Sequence, residues 1–84
     1  MQFEFEKNAL KDLKDWKKQN HSIYRKILKL LEVISVTPFE GIGKPEPLKG
    51  NLSGWWSRRI NREHRLVYKT EENKIIILSC RYHY

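Results

Sequence analysis

The apolar residues Ile23, Ile27, Leu30, Leu31 and Ile34 fall at i, i+4, i+7, i+8 and i+11, the spacing of one face of an α-helix. The pattern is expected to stop near Thr37, because the residue before Pro38 is pushed out of the helical region. Beyond that proline the helical spacing does not return. The chain passes through "PFEGIGKPEPLKGNLSG", too rich in glycine and proline for a helix or a central strand, and then into three strand-like runs. This single change of period divides the chain into a helical half and a sheet-forming half.

The smaller signals fill in that division. "QFEFE" alternates Phe3 and Phe5 with polar neighbours, the pattern of a short strand with one buried face. Asn8 is placed to cap a helix running from Ala9 to about Gln19, with Leu10, Leu13 and Trp16 forming a narrow apolar stripe. Asn20-His21-Ser22 breaks it from the second helix. The loop after Pro38 offers one short extended piece, Pro45 to Lys49, and the runs "WWSRRI", "HRLVYKT" and "KIIILSCRYHY" are joined by the turns "NRE" and "EEN". The order β-α-α-β-β-β predicts an α+β fold: a mainly antiparallel sheet of about four strands with both helices on one face. At 84 residues this is one domain, 1–84, with a small core.

Charge narrows the partners. With 17 basic and 10 acidic side chains the net charge is +7, which favours a polyanion or an acidic protein. Seven cations (Lys44, Lys49, Arg58, Arg59, Arg62, Arg65, Lys69) against two acids (Glu46, Glu63) put +5 of it between Lys44 and Lys69. The helices mix their signs and read as solvated faces. On adjacent strands, Arg58, Arg59, Arg62, Arg65 and Lys69 would repel one another unless an anion lay between them. The single cysteine, Cys80, cannot form an internal disulfide and reads as a buried thiol in a reducing compartment. No run approaches the roughly 20 apolar residues of a membrane span, and the N-terminus lacks a signal-peptide pattern, so a cytoplasmic location is expected.

Several chemistries fail on inventory. His21, His64, His83 and Cys80 lack metal-ligand spacing, no Asp/Glu cluster offers a magnesium site, and "GIGKPEP" is not a phosphate loop, so neither metal nor cofactor is expected. Ser53 and Ser57 have no evident Asp-His pair and read as turn residues. Strict alternation in the last strand puts Ile75, Ile77, Ser79, Arg81 and His83 on one face. If Arg59 and Arg65 share it, cations gather beside a titratable imidazole. One carboxylate, one imidazole and several cations suit RNA backbone cleavage without metal, in which a base deprotonates the 2′-hydroxyl, an acid protonates the leaving 5′-oxygen, and cations hold the added negative charge. Glu46, fixed between Pro45 and Pro47, is the candidate base. Tyr82 and Tyr84 could stack bases or form an apolar rim; Trp55 and Trp56 point to opposite faces; His21, His64 and Glu63 read as structural, with Glu63 pairing a nearby arginine.

"TPFEGIGKPEPLKGNLSGWWSRRINREHRLVY" and the terminal "CRYHY" resemble the YoeB toxins of bacterial toxin-antitoxin modules, members of the RelE superfamily. The likeness is dense from Thr37 to Tyr68 and from Cys80 to Tyr84, and element order agrees along the whole chain. The resemblance implies a RelE-like fold and a ribosome-dependent mRNA endonuclease acting in the A site. It implies Glu46 as general base, His83 as general acid and Arg65 as transition-state stabiliser, with Lys49, Arg59 and Tyr84 binding or positioning the scissile phosphate. Each stands at the matching motif position: "KPEPLK", "SRRI", "EHRLVY" and "RYHY". Trp55 before Trp56, and Asn61-Arg62 in the turn, depart from the family pattern, and Arg62 offers one more phosphate contact. The partners implied are the ribosome with its mRNA, a cognate YefM-like antitoxin with an acidic C-terminal segment, and a second copy of the toxin. The alternatives are an inhibitor that occupies ribosome or RNA without cutting it and, from another class, a binding protein whose basic face serves only an acidic protein such as the antitoxin.

Overall fold

A computed structural model describes residues 2–81. Its elements are β1 (Gln2–Phe5), α1 (Lys7–Gln19), α2 (His21–Val36), β2 (Glu46–Pro47), a 3-10 turn (Gly50–Leu52), β3 (Trp56–Arg59), β4 (Arg65–Glu71) and β5 (Lys74–Ser79). The sheet order is β1-β5-β4-β3-β2, with β1 parallel to β5 and every other pair antiparallel. This is the expected α+β arrangement, with five strands where about four were expected. The fifth is the short extended piece of the loop, which pairs Glu46 with Ser57 and Pro47 with Trp56.

The helices pack on one face of the sheet. Ile27, Leu30 and Ile34 of α2 and Ala9 and Trp16 of α1 meet Leu66 and Tyr68 of β4 and Ile75 and Ile77 of β5 in one buried cluster. Asn20 separates the helices by serving both. Its backbone N–H closes α1 on the Trp16 carbonyl (2.9 Å), while its side-chain oxygen accepts from the N–H groups of Ser22 and Ile23 at the start of α2. The other helix start differs from the expectation. The α1 cap is Glu6, not Asn8, because the Glu6 N–H still bonds the Ile77 carbonyl (2.9 Å), so the sheet fixes where the chain turns. Nor does β1 bury a full face: Phe5 packs against the core, but Phe3 is 39% exposed on the outer edge strand. Leu10, at 41% exposed, likewise leaves the α1 stripe to Ala9, Leu13 and Trp16.

A bulge redirects the end of β5. Tyr68 faces Ile77 but Val67 faces Ser79, leaving Leu78 as the extra residue. Alternation therefore slips, and Cys80 joins Ile75 and Ile77 in the core cluster on the helix side. There α1 holds it: the Trp16 indole N–H donates to the Cys80 carbonyl (2.9 Å), and the Cys80 N–H donates to Asp12 Oδ2 (3.4 Å).

Burial, reinforced by Asp12, pushes the Cys80 thiol up from 9.0 to about 12, with Arg81 opposing. Cys80 therefore stays protonated in the folded protein where the unfolded chain would ionise, and its contribution to stability is lost as pH rises from about 9 to about 12. At pH 8, a thiol-specific disulfide reagent is expected to label the native protein far more slowly than the urea-unfolded chain. Equal labelling rates would contradict the burial. Among the described residues no helix is long and apolar enough to cross a membrane.

Candidate functional site

The sheet face away from the helices carries the polar chemistry. Cross-strand pairing aligns Glu46 with Ser57, Ser57 with Val67, and Arg59 with Arg65, so Glu46, Ser57, Arg59 and Arg65 share that face. Arg65 Nη2 stands 3.0 Å from Glu46 Oε1, and Arg65 Nε donates to Ser57 Oγ at 2.9 Å. The two ends of the ion pair differ in environment: the Arg65 side chain is 10% exposed, the Glu46 side chain 54%. A guanidinium gripped from below by a buried serine is held in one orientation, while the carboxylate beside it reaches solvent. Arg59 is exposed next to this pair, and Lys49 is exposed at the start of the 3-10 turn, where the buried Leu48 ties the strand to Trp55 through a 2.9 Å backbone bond.

A buried arginine supports the loop that delivers Glu46. Arg58 is fully buried, and its guanidinium donates to Tyr68 Oη (3.1 Å) and to the carbonyls of Ile42 (3.2 Å), Glu40 (2.8 Å) and Thr37. Tyr68 passes the contact on by donating to the Pro38 carbonyl (2.6 Å). Burial raises the Tyr68 phenol above its ordinary value, with the Arg58 bond opposing, which keeps it a neutral donor. Further along, the Arg59 N–H donates to the Gly43 carbonyl at 2.7 Å. At Gly43, φ is +87°, and a Cβ there would come within 3.0 Å of the Arg59 carbonyl, so only glycine fits. The loop from Thr37 to Gly43 is thus bound to β3 along its length, which fixes where β2 begins.

Several expectations are corrected by this geometry. Arg58 is no part of an open cationic patch; successive strand residues point to opposite faces, and it alone of the Arg58-Arg59 pair turns inward. Lys69 is engaged, 2.9 Å from Glu71 and over the Trp55 ring at 4.7 Å. Arg81 does not gather with Arg59 and Arg65: it lies over the Trp16 ring at 4.7 Å and 3.8 Å from Asp15, on the α1 side. Ser57 is a strand residue, not a turn residue, and the alternation in "WWSRRI" is the signal that would have found it. Glu63 lies 3.7 Å from His64, not against an arginine, and His64 is buried edge-on to Trp16. Arg62 is exposed in the β3–β4 turn. Tyr82, His83 and Tyr84 lie outside the described residues. Among the described residues no three His, Cys, Asp or Glu side chains converge as a bound metal ion would require.

The comparisons agree with one another. The model of the YoeB-like toxin of bacterial type II toxin-antitoxin systems matches residues 5–84. Toxin YoeB of Synechocystis is 56% identical over 70 residues, 82% of this chain and 81% of its own. Among solved structures, a YoeB/ParE toxin from Agrobacterium tumefaciens superposes with a TM-score of 0.96 at 38% identity, covering all of both chains. The YoeB dimer from Staphylococcus aureus gives 0.93 at 47% identity, covering 100% of this chain and 98% of its own, and the same values hold for a heterotetrameric YoeB-YefM toxin-antitoxin complex from that organism. A family match over nearly the whole length, relatives above half identity and superposition of the entire fold lead to one assignment: this chain belongs to the YoeB-like toxins of bacterial type II toxin-antitoxin systems.

Proposed function

We propose that this toxin is a ribosome-dependent endoribonuclease that cuts mRNA in the ribosomal A site by general acid/base chemistry, using no metal or cofactor. The observation that carries the reading is the exposed Glu46 carboxylate 3.0 Å from the buried, serine-anchored Arg65. Glu46 takes the proton of the 2′-hydroxyl, and the freed oxygen attacks the adjacent phosphorus. A bond from the 2′-oxygen to phosphorus forms as the bond to the 5′-oxygen breaks, and His83 gives its proton to that leaving oxygen. The products are a 2′,3′-cyclic phosphate and a 5′-hydroxyl. Arg65 needs no reorganisation to meet the negative charge that grows on phosphorus, which is how a fixed cation lowers a barrier. Arg59 and Lys49 hold the phosphate, and Tyr84 positions the nucleotide.

The face around Glu46 is open, so the reacting geometry has to come from elsewhere. A ribosome that presents one codon of mRNA in a fixed conformation supplies it, and this places the protein's work in the cytoplasm. The same exposed cations suit the acidic segment of a cognate antitoxin of the YefM kind, which would cover them and hold the toxin inactive. The Staphylococcus aureus relatives, seen as a dimer and bound to YefM, support both the antitoxin and a homodimer as partners here. Primer-extension mapping in a purified translation system tests the reading. Wild-type protein is expected to create new mRNA ends within the A-site codon, and only when ribosomes are present. Stalled translation without new ends would mean an inhibitor that binds and does not cut.

A further inference from the structure

Pairing across the sheet arranges the face that carries Glu46 in rows. One row holds Arg59 and Arg65, and the next holds Glu46, Ser57 and Val67. A third row lies two residues further along the strands, about 7 Å from the second. There the Leu48 N–H bonds the Trp55 carbonyl (2.9 Å), the Lys69 ammonium stands over the Trp55 ring at 4.7 Å, and Lys69 faces Ile76 of β5. Leu48 and Ile76 are buried, so the row offers solvent a half-buried indole and a lysine. Beyond it the sign of the charge changes: Glu71, 2.9 Å from Lys69, and the exposed Glu72 close the face on that side.

The two adjacent tryptophans divide their work. Trp56 packs against the cluster that joins helices to sheet, and Trp55 is no part of it. An indole on an open sheet face presents a flat π surface on which any base can stack, and a neighbouring cation can meet the backbone phosphate; single-stranded RNA is gripped by this pairing. A lysine is drawn to the same ring face. In the free protein the ammonium therefore keeps a place that a base can take, and once displaced it has a phosphate to turn to. The step from the Glu46 row to the Trp55 row is about one nucleotide of an extended strand.

We propose that Trp55 and Lys69 form a second nucleotide subsite, in which a base adjoining the cleaved bond stacks on the Trp55 indole and Lys69 leaves the ring for the phosphate of that nucleotide. The proposal rests on the nuclease reading above. Glu71 and Glu72 repel a backbone that runs further, so the face takes one base beyond the reacting nucleotide. Because every base has a π face, the subsite adds grip with little preference for codon. A neighbour held in this way keeps the reacting phosphate against Arg65.

The test is single-turnover cleavage on programmed ribosomes, followed across toxin concentration. Trp55→Leu keeps an apolar cover beside Leu48 but has no ring, and Trp55→Phe keeps a smaller ring; thermal melts check both folds. The leucine variant is expected to raise the half-saturating toxin concentration about 5- to 150-fold, the span of one lost base stack, with the saturating rate unchanged. The phenylalanine variant should recover most of that loss. Abasic nucleotides are then placed on each side of the cleaved bond in turn. At one of the two positions the penalty should be largest for the wild type, smaller for Trp55→Phe and absent for Trp55→Leu. Lys69→Met should lower the slope of log affinity against log salt by about 0.7, the value for one phosphate of a single strand. Half-saturating concentrations equal in wild type and Trp55→Leu, or an abasic penalty that is the same in all three proteins at both positions, overturn the subsite and leave the nuclease reading standing. Wild-type protein that creates no new mRNA ends overturns both. A leucine variant weakened only toward an acidic antitoxin assigns the ring to a protein partner and overturns the subsite.

Discussion

Glu46→Ala and His83→Ala are each expected to slow mRNA cleavage by about 10²- to 10⁴-fold, the range that positioned proton transfer contributes. The two losses should not multiply. Once one proton cannot move, the second group has little transition state left to act on, so the double variant should resemble the worse single one. Arg65→Ala belongs with them at about 10²- to 10³-fold, the cost of removing one fixed donor from the developing charge. It carries a structural signature the other two lack: Ser57, fully buried, loses the Arg65 Nε partner that donates to it at 2.9 Å. Single-turnover rates at saturating ribosome separate these effects from weakened binding. A Glu46→Ala protein that cuts at the parental rate would remove the carboxylate from the chemistry.

The largest expected loss of stability lies one residue away from the exposed cations. Arg58→Met roughly conserves the length of the side chain but removes every donor that reaches Tyr68 and the carbonyls of Thr37, Glu40 and Ile42. Several buried acceptors left without partners at once make the change cost about 3–5 kcal/mol. For a domain of this size the midpoint of thermal unfolding should fall by more than about 12 °C. Arg59→Met, its neighbour on the exposed face, should leave the midpoint within a few degrees while weakening phosphate binding. Thermal melts of the two variants side by side decide the matter. Equal midpoints would show that Arg58 does not anchor the loop.

The contrast between Arg58 and Arg59 also shows what the sequence could convey. Helix α2 was legible because five apolar residues repeat on one face and Pro38 ends the pattern. The three later strands were legible from their turns, and even the two-residue strand at Glu46 had its signal in the paired prolines. What escaped was decided by tertiary geometry. Two adjacent arginines look alike in composition, and only the face each one takes makes one structural and the other available. The bulge at Leu78 carries Cys80 into the core, and Arg81 ends on Trp16, not with Arg65, because the alternation assumed for the last strand is broken once. The start of α1 escaped for a related reason: a sheet bond from Glu6 overrides the capping preference of Asn8.

Of the candidate site, Glu46, Lys49, Arg59 and Arg65 could be named from the motif, but the reason Arg65 can serve as a fixed cation could not. That reason is Ser57, which a reading by residue type assigns to a turn. His83 and Tyr84 rest on the resemblance alone, since they lie outside the described residues.

The central claim is that Glu46 activates the 2′-hydroxyl of the RNA it cuts. The most direct measurement replaces that one hydroxyl with hydrogen at the A-site nucleotide preceding the cleaved bond and follows cleavage on otherwise identical programmed ribosomes. Without the nucleophile, cleavage by the wild-type protein should cease while binding persists. Continued cleavage of the 2′-deoxy substrate would mean that water or another group attacks the phosphorus, contradicting the role assigned to Glu46.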